Sequence, residues 1–350
     1  MRKLGGIAPV SRRPVAGDTV EVDIDGRDRP TARGRALVVW GGLAASAGLG
    51  YLAVRDVRWD SVWEALKTSN YWWLIPALLL LAGANLLRAR RWQSLFQAET
   101  RPPYVPTLEA MLVGQLFNNV LPARAGEVLR VVFLHRRAAA SRAETTGTVL
   151  VERAFDVLAL LGLLFVALPW FPSLSWLRAA GWLAIGLALG VTMVSVFLVR
   201  YGNRPLEIAL RPLRYLPFVS PELVGLATAN LGRGLAGIRR WRNAAAAGSW
   251  TIVSWLTLAL SNWVLMQGFD LGLSFSAGLL VAIATGLGMI IPSAPGAVGI
   301  FEAATVVALH AYGVPSSQAL SYALVLHAMN LIPYLVAGGA VLRLGAAARS

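Results

Sequence analysis

Cysteine is absent from all 350 residues, which excludes a disulfide framework, a thiolate nucleophile and a thiolate metal site. Lysine is nearly absent too: the basic residues are arginines apart from Lys3 and Lys67, and neither lysine lies in an apolar segment. A buried Schiff-base lysine and the phosphate-binding lysine of a P-loop are therefore missing. The three histidines, His135, His310 and His327, are too dispersed to form a metal centre together. No G-x-x-x-x-G-K-S/T, H-E-x-x-H or G-x-S-x-G run occurs. Asp23-Ile24-Asp25 spells the D-x-D of sugar-nucleotide transferases, but it sits in a polar tail rich in Arg, Asp, Gly and Pro whose composition does not favour a folded site. No catalytic residue, metal or cofactor is assigned, and the chain reads as a non-enzyme.

Charge is also scarce, at 14% of residues, whereas apolar residues make up 56%, with 13 Trp and a mean hydropathy of +0.59. A soluble core of this length does not need so much apolar surface, so the fold class expected is an all-α integral membrane protein. The net charge of +14 is then read as a topology signal and an attraction to anionic headgroups, not as nucleic-acid binding.

Apolar runs long enough to span a bilayer fall near residues 36–54, 71–87, 146–168, 179–199, 244–267 and 319–342. These give about six spanning helices in a membrane domain over 36–342. The stretches 108–140 and 277–312 are apolar but broken, at Leu121-Pro122-Ala123-Arg124-Ala125-Gly126-Glu127 and at Ile291-Pro292-Ser293-Ala294-Pro295-Gly296. An unpaired backbone group facing lipid costs several kcal/mol, so such breaks are expected in two re-entrant helical hairpins lining an internal cavity.

Eight basic residues in the tail 1–35 and eight more in the loop 200–243 place both in the cytoplasm, together with 88–107 and 136–142. The tail is expected to be disordered. Within the loop, Leu223, Leu226, Leu231, Leu235 and Ile238 suggest an interfacial amphipathic helix over 218–242. Both termini are expected in the cytoplasm. Spans at 71 and 146 flank the first hairpin and spans at 244 and 319 flank the second, both displaced by 173 residues, close to the 170 between Pro122 and Pro292. Residues 71–168 and 244–342 thus read as repeats. An odd number of crossings between them makes the repeat inverted, which lets a midplane site face either side in turn.

Ionisable groups inside hydrocarbon are functional candidates by default. Arg124, Glu127 and Arg130 recur at spacing three and share a face if a helix begins after Pro122. Arg124 would then grip a phosphate beside the helix N-terminus. For Arg130, phosphate contact competes with a pairing to Glu127 that holds the hairpin shut. Glu152 and Asp156, four apart, share a face of their span, with Arg153 about a quarter turn away. They are candidates for receiving a hairpin arginine, binding a cationic head group or carrying protons, and equally for an ion-paired fastener. In the second hairpin Gly296 and Gly299 permit close backbone approach, and Glu302 follows on the returning helix. His327, three before Asn330, is a candidate proton relay alongside Glu152 and Asp156, against the plainer role of a core histidine.

The run Asn118-Asn119-Val120-Leu121-Pro122-Ala123-Arg124-Ala125-Gly126-Glu127-Val128-Leu129-Arg130, then Glu152-Arg153-Ala154-Phe155-Asp156, then Pro292-Ser293-Ala294-Pro295-Gly296-Ala297-Val298-Gly299-Ile300-Phe301-Glu302, resembles the lysylphosphatidylglycerol synthase transmembrane family. That family includes the flippase half of the bacterial multiple peptide resistance factor. The resemblance covers about residues 35–342. It implies movement of lipids or lipid-linked molecules between leaflets, and it adds Asn118 and Asn119 to the substrate-binding candidates. The soluble aminoacyl-transferase half is not expected here, so lysyl transfer is not implied.

The expected function is therefore a flippase for an anionic or zwitterionic lipid in the bacterial inner membrane. Membrane lipids are its partners, and a second copy of the chain or a separate lipid-modifying enzyme are the candidate protein partners. Two rivals remain open: an intramembrane transferase using Glu127 or Glu152 as base, and a scaffold of a lipid-synthesis complex.

Overall fold

The computed structural model describes residues 32–55, 57–173, 240–290 and 293–347, with Gly237 and scattered positions between 179 and 190. Apart from those positions, the expected span at 179–199, the loop over 200–239 with its interfacial helix, and the tail up to residue 31 lie outside the described residues. Residues 32–35, read as tail, form the first turn of a helix.

Ten α-helices are found among the described residues. They are α1 (Ala32–Val54), α2 (Trp59–Thr68), α3 (Leu74–Ser94), α4 (Tyr104–Val120), α5 (Gly126–Ala138), α6 (Arg142–Ala167), α7 (Trp241–Gly268), α8 (Phe275–Gly288), α9 (Ile300–His310) and α10 (Ser316–Ala347). Three segments, Tyr71–Ser94, Trp241–Gly268 and Ser316–Gly345, are long and apolar enough to cross a membrane. At 26 and 23 residues, α6 and α1 also have the length, but α6 carries Glu144, Glu152, Arg153 and Asp156, and α1 starts with two arginines. By contrast α4, α5, α8 and α9 have 17, 13, 14 and 11 residues. At ~1.5 Å per residue each falls short of a hydrocarbon core ~30 Å thick.

Local chemistry sets these boundaries. Ser141 Oγ accepts the Glu144 N–H and opens α6. Pro122 forces Leu121 into extended backbone (φ −103°, ψ 145°), which ends α4. Glu302, the third residue of α9, accepts the Gly299 N–H at 2.7 Å and so starts the helix that returns from the second break. The first helix was expected to restart just after Pro122. Instead Pro122–Arg124 forms one tight turn and α5 begins at Gly126.

Two sets of four helices run in the same order, long, short, short, long: α3–α6 and α7–α10. Their packing is reciprocal. The leading helices α3 and α7 form the most extensive contact, α4 of the first set rests on α10 of the second, and α8 of the second rests on α6 of the first. Asn70 N–H donates to Gly268 O at 2.8 Å, and Ser261 Oγ donates to Ala77 O at 2.7 Å. The start of α3 therefore meets the end of α7, and the two run antiparallel.

Apolar surface faces outward as well as inward. Leu79, Val166, Val336 and Leu344 are exposed, and exposed Trp59, Trp63, Trp72 and Trp170 sit near helix ends. A bilayer solvates such faces and seats Trp rings at its two interfaces, whereas water would not. This is a multi-pass membrane protein.

Candidate functional site

A cavity of about 300 Å³ opens between the two sets of helices. Its wall draws on all four helices of each set, α3–α6 and α7–α10, together with both interhelix breaks. The breaks meet there: a Cβ on Gly296 would lie 3.6 Å from Asn119 O.

The first break holds two short helices unusually close. A Cβ built on Gly126 would lie 2.0 Å from Gly114 O and 2.5 Å from Asn118 Oδ1, so only glycine lets α5 approach α4 this closely. That approach carries Arg130 into the interior, where it is 4% exposed, with its guanidinium 4.6 Å from the Trp92 ring centre. It pairs with both Glu127 and Glu152 at 2.9 Å. The pairing with Glu127 expected for Arg130 is thus found, and the pairing with Glu152 makes it also a buried bridge between α5 and α6.

Glu152 and Asp156 do share a face, and a third helix reaches them. Arg91 on α3 is 1% exposed, lies 2.6 Å from Glu152 Oε1 and also pairs with Asp156 Oδ1. The arginines near the end of α3 were read as a cytoplasmic linker. For Arg91 this is overturned, because α3 continues to Ser94 and turns Arg91 inward while Arg90 faces out over Tyr104. Trp255 Nε1 on α7 donates to Asp156 Oδ1 at 3.0 Å. Arg153 does not stay a quarter turn away: its head folds back to 3.2 Å from Glu152, 3.5 Å from Asp156 and 3.6 Å from Glu127. All three carboxylates are thus held by the protein's own arginines.

Two arginines on the wall stand outside this network. Arg88 on α3 lies over the Trp255 ring at 5.0 Å and forms no ion pair among the described residues. Arg124, expected on the α5 face, sits instead in the turn before it, in left-handed backbone (φ 54°), and makes no ion pair or hydrogen bond among the described residues. Asn118 and Asn119 also line the cavity, and Asn118 Oδ1 and Asn119 Nδ2 are buried without hydrogen-bond partners among the described residues.

The second break carries a separate pair. His327 Nδ1 lies 2.5 Å from Glu302 Oε1, and its Nε2 lies 2.8 Å from Gly296 O. Phe301 stacks on the imidazole at 4.6 Å. A carbonyl only accepts, so Nε2 carries a proton. The Nδ1–Oε1 contact then holds a second one, either as imidazolium and carboxylate or as neutral imidazole and carboxylic acid. His327 and Gly296 line the cavity, but Glu302 stands behind His327 with both oxygens engaged. Glu302, a substrate-binding candidate from the sequence, is thus outside the cavity lining and reaches it only through His327.

Arg88, Arg91 and Trp255 were missed as site residues. A signal existed for the arginines: Leu81, Asn85, Arg88 and Arg91 recur at helical spacing on one stripe of α3, the stripe that also carries the buried Leu81 and Asn85. Trp255 gave no comparable sign within an apolar helix.

The known proteins to which the chain is similar are membrane proteins. The chain is 22% identical over 291 residues to a UPF0104 membrane protein of Pyrococcus horikoshii, covering 77% of this chain and 86% of that one. It is 27% identical over 269 residues to a UPF0104 membrane protein of Methanothermobacter thermautotrophicus, covering 72% of this chain and 78% of that one. The model of the lysylphosphatidylglycerol synthase TM region matches residues 39–338, which include every residue of the cavity wall and both sets of helices except the end of α10, and the chain belongs to that family.

Proposed function

We propose that this protein is a lipid flippase, in which the cavity between the two sets of helices receives a polar head group while the acyl chains stay in lipid. The observation that carries the reading is the cavity itself: a chamber with eight ionisable arginine, glutamate and aspartate side chains in a partly apolar wall, bounded in part by helices too short to cross. Charges this deep are expensive in hydrocarbon, at least ~2.5–3.5 kcal/mol each, and they mark a transport path by default.

The antiparallel run of α3 and α7 supports an inverted-topology repeat, since equivalent helices of inverted repeats point in opposite directions. On this reading α4–α5 and α8–α9 are re-entrant hairpins entering from opposite faces, and their tips gate the chamber. The setting is the bacterial inner membrane with both termini in the cytoplasm. With no P-loop lysine in the chain, movement is passive or ion-coupled, and the Glu302–His327 pair is the candidate proton carrier.

Leaflet exchange of labelled phospholipids and polyprenyl phosphates in liposomes containing the purified protein tests this. Arg124→Ala is the informative control, because Arg124 has no ion pair to lose among the described residues. Exchange that this change abolishes supports the flippase. Absence of exchange for every lipid, with or without a proton gradient, would remove it.

A further inference from the structure

The charge on the cavity wall is unbalanced. Five arginines, Arg88, Arg91, Arg124, Arg130 and Arg153, face three carboxylates, Glu127, Glu152 and Asp156. Each carboxylate is already engaged: Glu152 by Arg91, Arg130 and Arg153, Asp156 by Arg91, Arg153 and Trp255, and Glu127 by Arg130 and Arg153. A cationic head group would find no carboxylate without an arginine partner among the described residues, and the unpartnered acceptor there, Asn118 Oδ1, carries no charge. The excess positive charge resides on the arginines that have no acidic partner there, Arg88 and Arg124.

Resting on the flippase reading, we propose that Arg88 and Arg124 form an anion grip that selects a phosphate-bearing head group of net negative charge over a zwitterionic or aminoacylated one. The chemistry is specific to arginine. A guanidinium presents planar paired donors matched to phosphate oxygens, and stacking on Trp255 fixes the plane of Arg88. Arg88 Nε and Asn119 Nδ2 are buried donors on the same wall with no hydrogen-bond partner among the described residues. Arg124 is held in left-handed backbone, which is strained for an L-residue and persists where the surroundings impose it, often at ligand clamps. The grip unites α3 with the first interhelix turn, so a bound phosphate would bridge a spanning helix and a hairpin tip.

The test reconstitutes the full-length protein in phosphatidylcholine liposomes. It follows leaflet exchange of labelled phosphatidylglycerol, phosphatidylethanolamine and lysyl-phosphatidylglycerol, and separately the uptake of radiolabelled inorganic phosphate. Phosphatidylglycerol is expected to exchange roughly tenfold faster than the lysylated lipid. Arg88→Gln and Arg124→Gln should each slow it roughly tenfold, the scale of one lost charge-assisted contact. If Arg88→Gln fails to fold, Arg124→Gln alone carries the test. Equal rates for all three lipids, or unchanged selectivity in a folded Arg124→Gln, would overturn the grip while leaving a flippase. Phosphate uptake without lipid exchange would keep the anion grip and overturn the lipid reading. Neither exchange nor uptake would overturn both.

Discussion

Glu152 meets three arginines with two oxygens, and its loss would leave Arg91 and Arg130 buried without that partner. Removing one member of a buried ion-paired cluster costs about 3–5 kcal/mol. Glu152→Ala should therefore lower the unfolding free energy in detergent by that order, while Arg91→Met combined with Glu152→Leu recovers part of it; thermal melts of the three proteins check this. Arg124 behaves oppositely. Its positive φ makes Arg124→Gly neutral or stabilising, by up to about 1 kcal/mol, while lipid exchange falls. Loss of stability and loss of exchange together in that variant would place Arg124 in the fabric of the fold instead. The acidic pair and the hairpin arginines were legible because charges in apolar runs are conspicuous. Arg91 was hidden by its neighbours: Arg88, Arg90 and Arg91 in sequence look like a solvated run, and only helical phase separates the buried from the exposed.

The hairpins act as elements, and each has one residue on which its shape turns. Gly126→Leu would drive a side chain into the Gly114 carbonyl and part α4 from α5. Exchange should be lost although the protein still inserts, and spin labels on the two helices should report a wider separation than in the wild type. At the second break a Cβ on Gly299 would fall 2.2 Å from Ser46 O of α1, so a helix outside both sets clamps that turn. Nothing in the sequence tied residue 46 to residue 299, since the contact depends on tertiary placement alone. The latch formed by His327 on Gly296 O requires a proton on Nε2, and its Nδ1 contact shares one more with Glu302. Among the described residues Glu302 is the only charged group paired with His327. If that pair couples transport to protons, an imposed proton gradient will accelerate exchange in the wild type but not in His327→Ala. An equal response in the variant would leave His327 a core residue. The breaks themselves were readable from proline and glycine, but the restart at Gly126 was not, because the Pro122–Arg124 turn has the composition of a first helical turn.

Across the whole molecule, the 173-residue displacement seen in sequence corresponds to the four-helix order α3–α6 and α7–α10, with antiparallel leaders and reciprocal packing. The central claim is that opening of the hairpin tips over the cavity moves a lipid head group. Asn119 O approaches Gly296 where those tips meet, and the chain is free of cysteine, so two introduced thiols can be placed there without a competing background. The most direct measurement is leaflet exchange of labelled phosphatidylglycerol in liposomes containing Val120→Cys/Ala297→Cys, which spares the cavity-lining Asn119, before and after a short thiol cross-linker joins the tips and again after a reducible version is cleaved. The account predicts exchange in the free protein, arrest when the tips are joined and recovery on cleavage. Exchange that continues unchanged with the tips locked would contradict it.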